Sequence, residues 1–343
     1  MTSDGNAMRK LVNKPAMVLF LGASVLMILL LEGRYLRPSE SAHRANFGVW
    51  ENACNQRDGN DTTKSRIMPS GGKAYALLVG IAKYNLPKSW DLKYPPQEVD
   101  SLAKILTAAG YIVETMSDSL ATREKVLSRL HKLARGRDSN DRLLFYFTGH
   151  GMKFKRARGE MNTTHFKKFF DSEINTYNEA RSRGDSVDYL ILALYQHKRG
   201  SFEDVIGAHE IADSLNRSPA HQRILVIDAC YGGALVHHYY LPIGAYSPRL
   251  INDGFFAITS GKEKVGDGLH SQFLFAGLHG AADTTCAGNR DGYVSAYELA
   301  VFMDDVLRYY YKNKSGLAYK IRYVHIGAGE ILLTNYPLQK GTR

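Results

Sequence analysis

The stretch from Arg223 to Gly233, RILVIDACYGG, constrains this chain more than any other. Ile224, Leu225, Val226 and Ile227 follow one another without a polar residue between them. A run with no polar face reads as a strand covered on both sides, the kind a parallel sheet requires. It stops at Asp228, Ala229 and Cys230, just before Gly232 and Gly233. Ligands of open α/β sheets bind beyond the carboxyl ends of the strands, so Cys230 stands where such folds place chemistry.

Arg142 to Phe147 (RLLFYF) has the same grammar and stops at Thr148, Gly149, His150 and Gly151. If the two strands are neighbours, an imidazole and a thiol share one sheet edge. A thiol titrates at about 8.5 and needs such a base, because the thiolate is the nucleophile. A structural cysteine and a capping histidine are the bland alternative. Glycine around both strand-end residues favours catalysis.

The surrounding pattern supports an α/β fold. Ala74–Ile81 reads as a strand, closed by the turn-rich Lys83–Trp90. After Pro95 and Pro96, a helix over Glu98–Ala109 places Val99, Leu102, Ala103, Ile105 and Leu106 on one face and stops at Gly110. Tyr111–Thr115 is a strand, and Thr122 caps a helix to about Ala134. This order predicts a doubly wound, mostly parallel sheet with helices on both faces. Further on, Tyr189–Leu194 and Phe255–Thr259 read as strands, with a last short one at Ile331–Leu333. Ala208–Asn216, Phe273–Ala281 and Ser295–Tyr310 read as helices. Between Met152 and Asp185 the rhythm breaks into a long loop carrying Lys153, Lys155, Arg156, Arg158, Lys167, Lys168, Arg181 and Arg183.

Ahead of this region, residues 1–14 form a short polar tail and Pro15–Leu31 is uncharged throughout. At about 1.5 Å per residue it spans roughly 25 Å, at the short limit for a membrane helix. We expect a transmembrane signal anchor over 15–33, with a cleaved signal peptide as the alternative. Arg9, Lys10 and Lys14 before it balance Arg34, Arg37 and Arg44 after it. The short N-terminal tail then puts the C-terminal part outside the cytoplasm. Residues 34–72 are a polar linker, with Trp50 and Cys54 as its docking points.

The net charge of +10, from 44 Lys and Arg against 34 Asp and Glu, permits acidic partners. The excess gathers between Met152 and Arg183, and no zinc finger, RNP pattern or basic heptad helix accompanies it, so nucleic acid is not an expected partner. Of the three cysteines, Cys54 and Cys286 could pair and leave Cys230 reactive, or all three could be reduced. His165, His197, His209, His221, His270 and His279 lack zinc-ligand spacing and read as solvated or locally satisfied.

FYFTGHG around His150 and VIDACYGG around Cys230 resemble the caspase-like cysteine peptidases, the metacaspase branch in particular. ALLVGIAKYN, PQEVDSLAKIL, FFAITSGKEKVGDG, HSQFLFAGLHG and NRDGYVSAYEL continue the family's order. The resemblance implies a peptidase domain over 73–335, with 152–187 as a basic insertion and 336–343 as a tail. It implies His150 as general base and acid, Cys230 as nucleophile, and the N–H groups of Gly151 and Cys230 as oxyanion hole. Asp228 and Asp100, with Thr148, would line a pocket selecting Arg or Lys beside the scissile bond. Protein or peptide substrates with basic residues follow.

His150 and Cys230 lie 80 positions apart, against about 50 in caspases, the surplus being the basic insertion. No cofactor or metal is expected; calcium activation is the alternative, without support at the expected positions, because His237 and His238 stand downstream of Cys230 where calcium-activated members carry Asp residues. Ala287–Glu298 has EF-hand spacing at Asn289, Asp291, Gly292, Ser295 and Glu298, but Ala287 takes the first ligand position, so it reads as a turn before a helix. The rivals are a silent caspase-like interaction module at the membrane and a basic, membrane-attached nucleic-acid or lipid-surface binder.

Overall fold

The computed structural model describes residues 72–155, 188–197, 204–232, 254–260, 269–285, 288–315, 322–326 and 331–335. The segment expected to cross a membrane, Pro15–Leu31, lies outside them, as do 34–71, 156–187, His237 and His238. Among the described residues no helix is long and apolar enough to cross a membrane.

A six-stranded sheet forms the centre. It contains β1 (Ala74–Gly80), β2 (Tyr111–Ser117), β3 (Arg142–Thr148), β7 (Gln222–Asp228), β8 (Phe255–Thr259) and β10 (Arg322–Ile326), in the order β10-β8-β7-β3-β1-β2. All pairings are parallel except β10 on β8. The apolar runs explain this: Ile224, Leu225, Val226 and Ile227 are at most 3% exposed, so the strand is buried on both faces. On one face, Leu77, Val79, Phe145, Phe147, Leu225 and Ile227 join Val126 and Leu130 of α2 (Arg123–Ala134) and Ile211 and Leu215 of α3 (Ala208–Asn216) in one core. The opposite face meets α1 (Pro95–Ala108) and α4 (Leu269–Ala276). Each side chain buried this way contributes about 1.5–3 kcal/mol.

From β1 the chain steps outward to β2, then returns across β1 to β3 and continues to β7 and β8. The order reverses between β1 and β3, which is where an open sheet forms its crevice.

Several expectations are corrected. Pro95 and Pro96 do not precede the helix but open it as its first residues, where their missing N–H groups cost nothing. The insertion does not begin as a loop: Gly151–Lys155 is strand β4, paired antiparallel with β5 (Asp188–Ala193), which also pairs with β6 (Val205–Gly207). The helix expected at Phe273 starts at Leu269 and runs through a π-turn at Gly277–Ala281. The last short strand, β11 (Leu332–Asn335), pairs with β9 (Tyr293–Ser295) outside the central sheet. α5 (Ala296–Ser315) follows β9 and opens with a capping box: the Glu298 N–H donates to Ser295 Oγ at 3.2 Å, and the Ser295 N–H to Glu298 Oε2 at 2.9 Å.

Candidate active site

β3 and β7 are direct neighbours, with Thr148 in register with Asp228. His150 and Cys230 each lie two residues further on, at adjacent strand ends. The Gly149 N–H donates to the Asp228 carbonyl at 3.3 Å, tying the two exit loops together. A Cβ on Gly151 would collide with the Cys230 carbonyl oxygen and lie 2.9 Å from Ala229 Cβ, so only glycine fits there. Cys230 is half-buried and in no disulfide. Tyr231 follows it with φ 63°, a left-handed conformation that costs a non-glycine residue about 1–2 kcal/mol and turns the chain sharply. Ser260 pins this turn, its hydroxyl on the Ala229 carbonyl and its N–H donating to the Ile227 carbonyl at 3.0 Å.

The loop after β1 builds the histidine's support. Asp118 Oδ1 accepts the N–H groups of Ala82 and Lys83 at 2.8 Å each, and the Leu92 N–H closes on the Ala82 carbonyl at 2.8 Å. Lys83 Nζ pairs with Asp91 at 2.8 Å, and its hydrogen bond holds the Asp91 carboxyl below the usual range. The loop thus carries Tyr84 and Trp90 to His150. Tyr84 Oη accepts the His150 N–H at 2.8 Å, and the Trp90 carbonyl lies 2.7 Å from His150 Nε2. The imidazole packs between both rings, at centroid distances of 4.9 and 5.0 Å.

Beneath these loops the carboxylates gather. Asp228 is 8% exposed and accepts from Ser271 Oγ at 2.6 Å. Glu98 of α1 is 5% exposed and accepts from Thr148 Oγ1 at 2.6 Å. Tyr146 lies near both: its hydroxyl is held well above its ordinary pKa first by burial, then by the charges of Glu98 and Asp228.

The structure therefore groups Thr148, His150, Gly151, Asp228 and Cys230 at one edge of the sheet. It does not bring Asp100 there. That residue is exposed on α1, and the inward carboxylate of the helix is Glu98. The signal was available: Glu98, Leu102, Ile105 and Leu106 share one helical face, from which Asp100 is turned away. Nor is His270 solvated or locally satisfied: it is fully buried, and neither ring nitrogen has a hydrogen-bond partner among the described residues. Among the described residues no group of three His, Cys, Asp or Glu suits a metal ion.

A parallel α/β sheet carrying a histidine and a half-buried thiol at neighbouring strand ends has the layout of a cysteine hydrolase. A family model described as the caspase domain matches residues 73–298, about two thirds of the chain, and the protein belongs to this caspase and metacaspase family of cysteine endopeptidases. Metacaspase-1 of Mycosarcoma maydis is 29% identical over 98 residues, covering 26% of this chain. The chain spans 24% of that relative's length. Among solved structures, caspase-1 of Spodoptera frugiperda matches with a TM-score of 0.49 at 12% identity, over 83% of this chain and 99% of its own. A structural-genomics target from Geobacter sulfurreducens matches with a TM-score of 0.48 at 14% identity, over 77% and 98%.

Proposed function

We propose that the enzyme cuts peptide bonds after Arg or Lys with a dyad of His150 and Cys230. The observation that carries this is the register of β3 and β7, which ends both strands side by side, with buried Asp228 closing β7 and buried Glu98 of α1 bonded to Thr148 at the end of β3.

The Trp90 carbonyl accepts hydrogen bonds only, so the nitrogen 2.7 Å from it, Nε2, carries a proton. In the neutral ring Nδ1 then holds the lone pair. It takes the Cys230 thiol proton, and the thiolate attacks the substrate carbonyl carbon. The N–H groups of Gly151 and Cys230 would receive the oxyanion, and the glycine permits that close approach. The imidazolium returns its proton to the departing amine. Water, deprotonated by the same nitrogen, then releases the acid from the acyl-enzyme. Asp228 and Glu98 would face the cationic side chain before the cut bond, since a desolvated carboxylate pair favours a cation and rejects an acid strongly. We also assign Pro15–Leu31 the role of membrane anchor, with the catalytic part outside the cytoplasm; retention of full-length protein in carbonate-washed membranes checks the anchor.

The test is hydrolysis of peptides differing only in the residue before the cut, by wild type, Cys230→Ala and His150→Ala. Both variants should fold and lose turnover to a similar degree, as members of one catalytic unit do. Wild type should accept Arg and Lys and reject Asp. Activity in Cys230→Ala, or a preference for Asp, would refute the assignment.

A further inference from the structure

The first turn of α4 delivers two side chains to a single oxygen of Asp228. Ser271 Oγ donates to Oδ2 at 2.6 Å, and His270 Nδ1 stands 3.5 Å from the same atom. Both residues are fully buried, at 0% exposure. Buried polar groups are almost always hydrogen-bonded, so an imidazole with neither nitrogen bonded needs a reason to be there. Its neighbour is the Asp228 carboxylate, at ion-pair range.

Ser271 extends the contact. Its oxygen lies 3.2 Å from the Tyr146 hydroxyl. With the serine proton committed to Asp228, Tyr146, which burial keeps protonated, is the donor to Ser271. Tyr146 of β3, Ser271 of α4 and Asp228 of β7 thus form one directed chain across three elements. It occupies Oδ2 and leaves Oδ1 as the oxygen with no described donor.

We infer that Ser271 and His270 are positioning residues that set the selectivity for a basic side chain, by holding Asp228 through Oδ2 so that Oδ1 meets the substrate cation. The inference rests on the proposal that Asp228 reads that cation. It gives a buried histidine outside the dyad a function, and it places the specificity of a β7 residue under the control of the first turn of α4.

The full-length enzyme is assayed with paired peptides carrying Arg or its neutral isostere citrulline before the cut. In Ser271→Ala, KM for the Arg peptide should rise on the order of tenfold with kcat unchanged, the size of a lost hydrogen bond to a charged group. The citrulline peptide should be unaffected, and Ser271→Thr, which keeps the hydroxyl, should restore the Arg preference. His270→Asn should lower the Arg-to-citrulline ratio in the same sense. A merely structural role would depress both peptides alike, and that outcome, or an unchanged ratio in Ser271→Ala, would overturn the inference. Asp228→Asn separates the two layers. If it leaves the ratio unchanged, the basic-pocket reading itself fails; if it collapses the ratio while the Ser271 and His270 variants do not, only the positioning role fails.

Discussion

At the scale of single residues, two carboxylates on one helix have opposite fates. Glu98 is buried against Thr148, whereas Asp100 is exposed two positions later. Glu98→Gln should therefore lower kcat/KM for Arg peptides by at least about tenfold, the cost of losing one partner of a buried charge contact. Asp100→Asn should leave it unchanged, and peptide kinetics on the two variants checks both. The placement of His150 and Cys230 at neighbouring strand ends was legible because each closely follows an unbroken apolar run and lies within two residues of a glycine. The family resemblance pointed to Asp100 as the second acidic residue of the pocket; the helical period, which buries Glu98 with Leu102 and Leu106, gives the other answer. Tyr84 and Trp90 were not legible as partners of His150, since backbone contacts across 66 and 60 positions leave no local pattern.

At the scale of elements, β4 changes where self-cutting can occur. In the sequence, Lys153, Lys155, Arg156 and Arg158 follow one another in the long loop expected from Met152, where a protease selecting basic residues would meet sites in its own chain. Lys153 and Lys155 instead sit in a ladder with Leu190 and Asp188. A ladder residue must leave its hydrogen bonds before it can enter another active site, while local opening is easiest outside such ladders. Self-processing, where it occurs, should therefore spare Lys153 and Lys155 relative to the other basic residues of the insertion. N-terminal sequencing of fragments from wild type and Cys230→Ala, purified in parallel, checks this: such cuts should be confined to wild type. The strand itself was visible as the alternation Met152, Lys153, Phe154, Lys155, but its partner β5 lies more than thirty positions on, and the cluster of basic residues masked the period. The central sheet was easier, because unbroken apolar runs specify parallel strands. Its antiparallel edge β10 (RYVHI) offered no such run.

At the scale of the whole molecule, stability is linked to pH through a site far in sequence from the dyad. Glu298 at the start of α5 is raised from 4.5 to about 7, mainly by burial; its bonds from Ser295 and Asn289 oppose the shift and the charge of Asp283 adds to it. A carboxyl with a raised folded-state pKa binds more protons folded than unfolded. Its contribution is fully present below about 4.5 and is lost as pH rises through about 7. Between those limits the linkage amounts to at most about 3 kcal/mol. Glu298→Gln should flatten the pH dependence of urea unfolding between pH 5 and 8, and an unaltered slope would remove Glu298 as its source. Asp283 holds the adjoining turn through the N–H groups of Asp291 and Gly292, at 3.2 and 3.0 Å, so the spacing that resembles a calcium loop is occupied by internal hydrogen bonds.

His150 and Cys230 are proposed to act together above a pocket for a basic side chain. Reaction of the full-length enzyme with an Arg-directed acylating probe, followed by intact mass and peptide mapping, tests it most directly. One adduct per chain is expected, on Cys230, absent from Cys230→Ala and His150→Ala, and not formed by the matching Asp-directed probe. An adduct on Cys54 or Cys286, or equal labelling in His150→Ala, would contradict it.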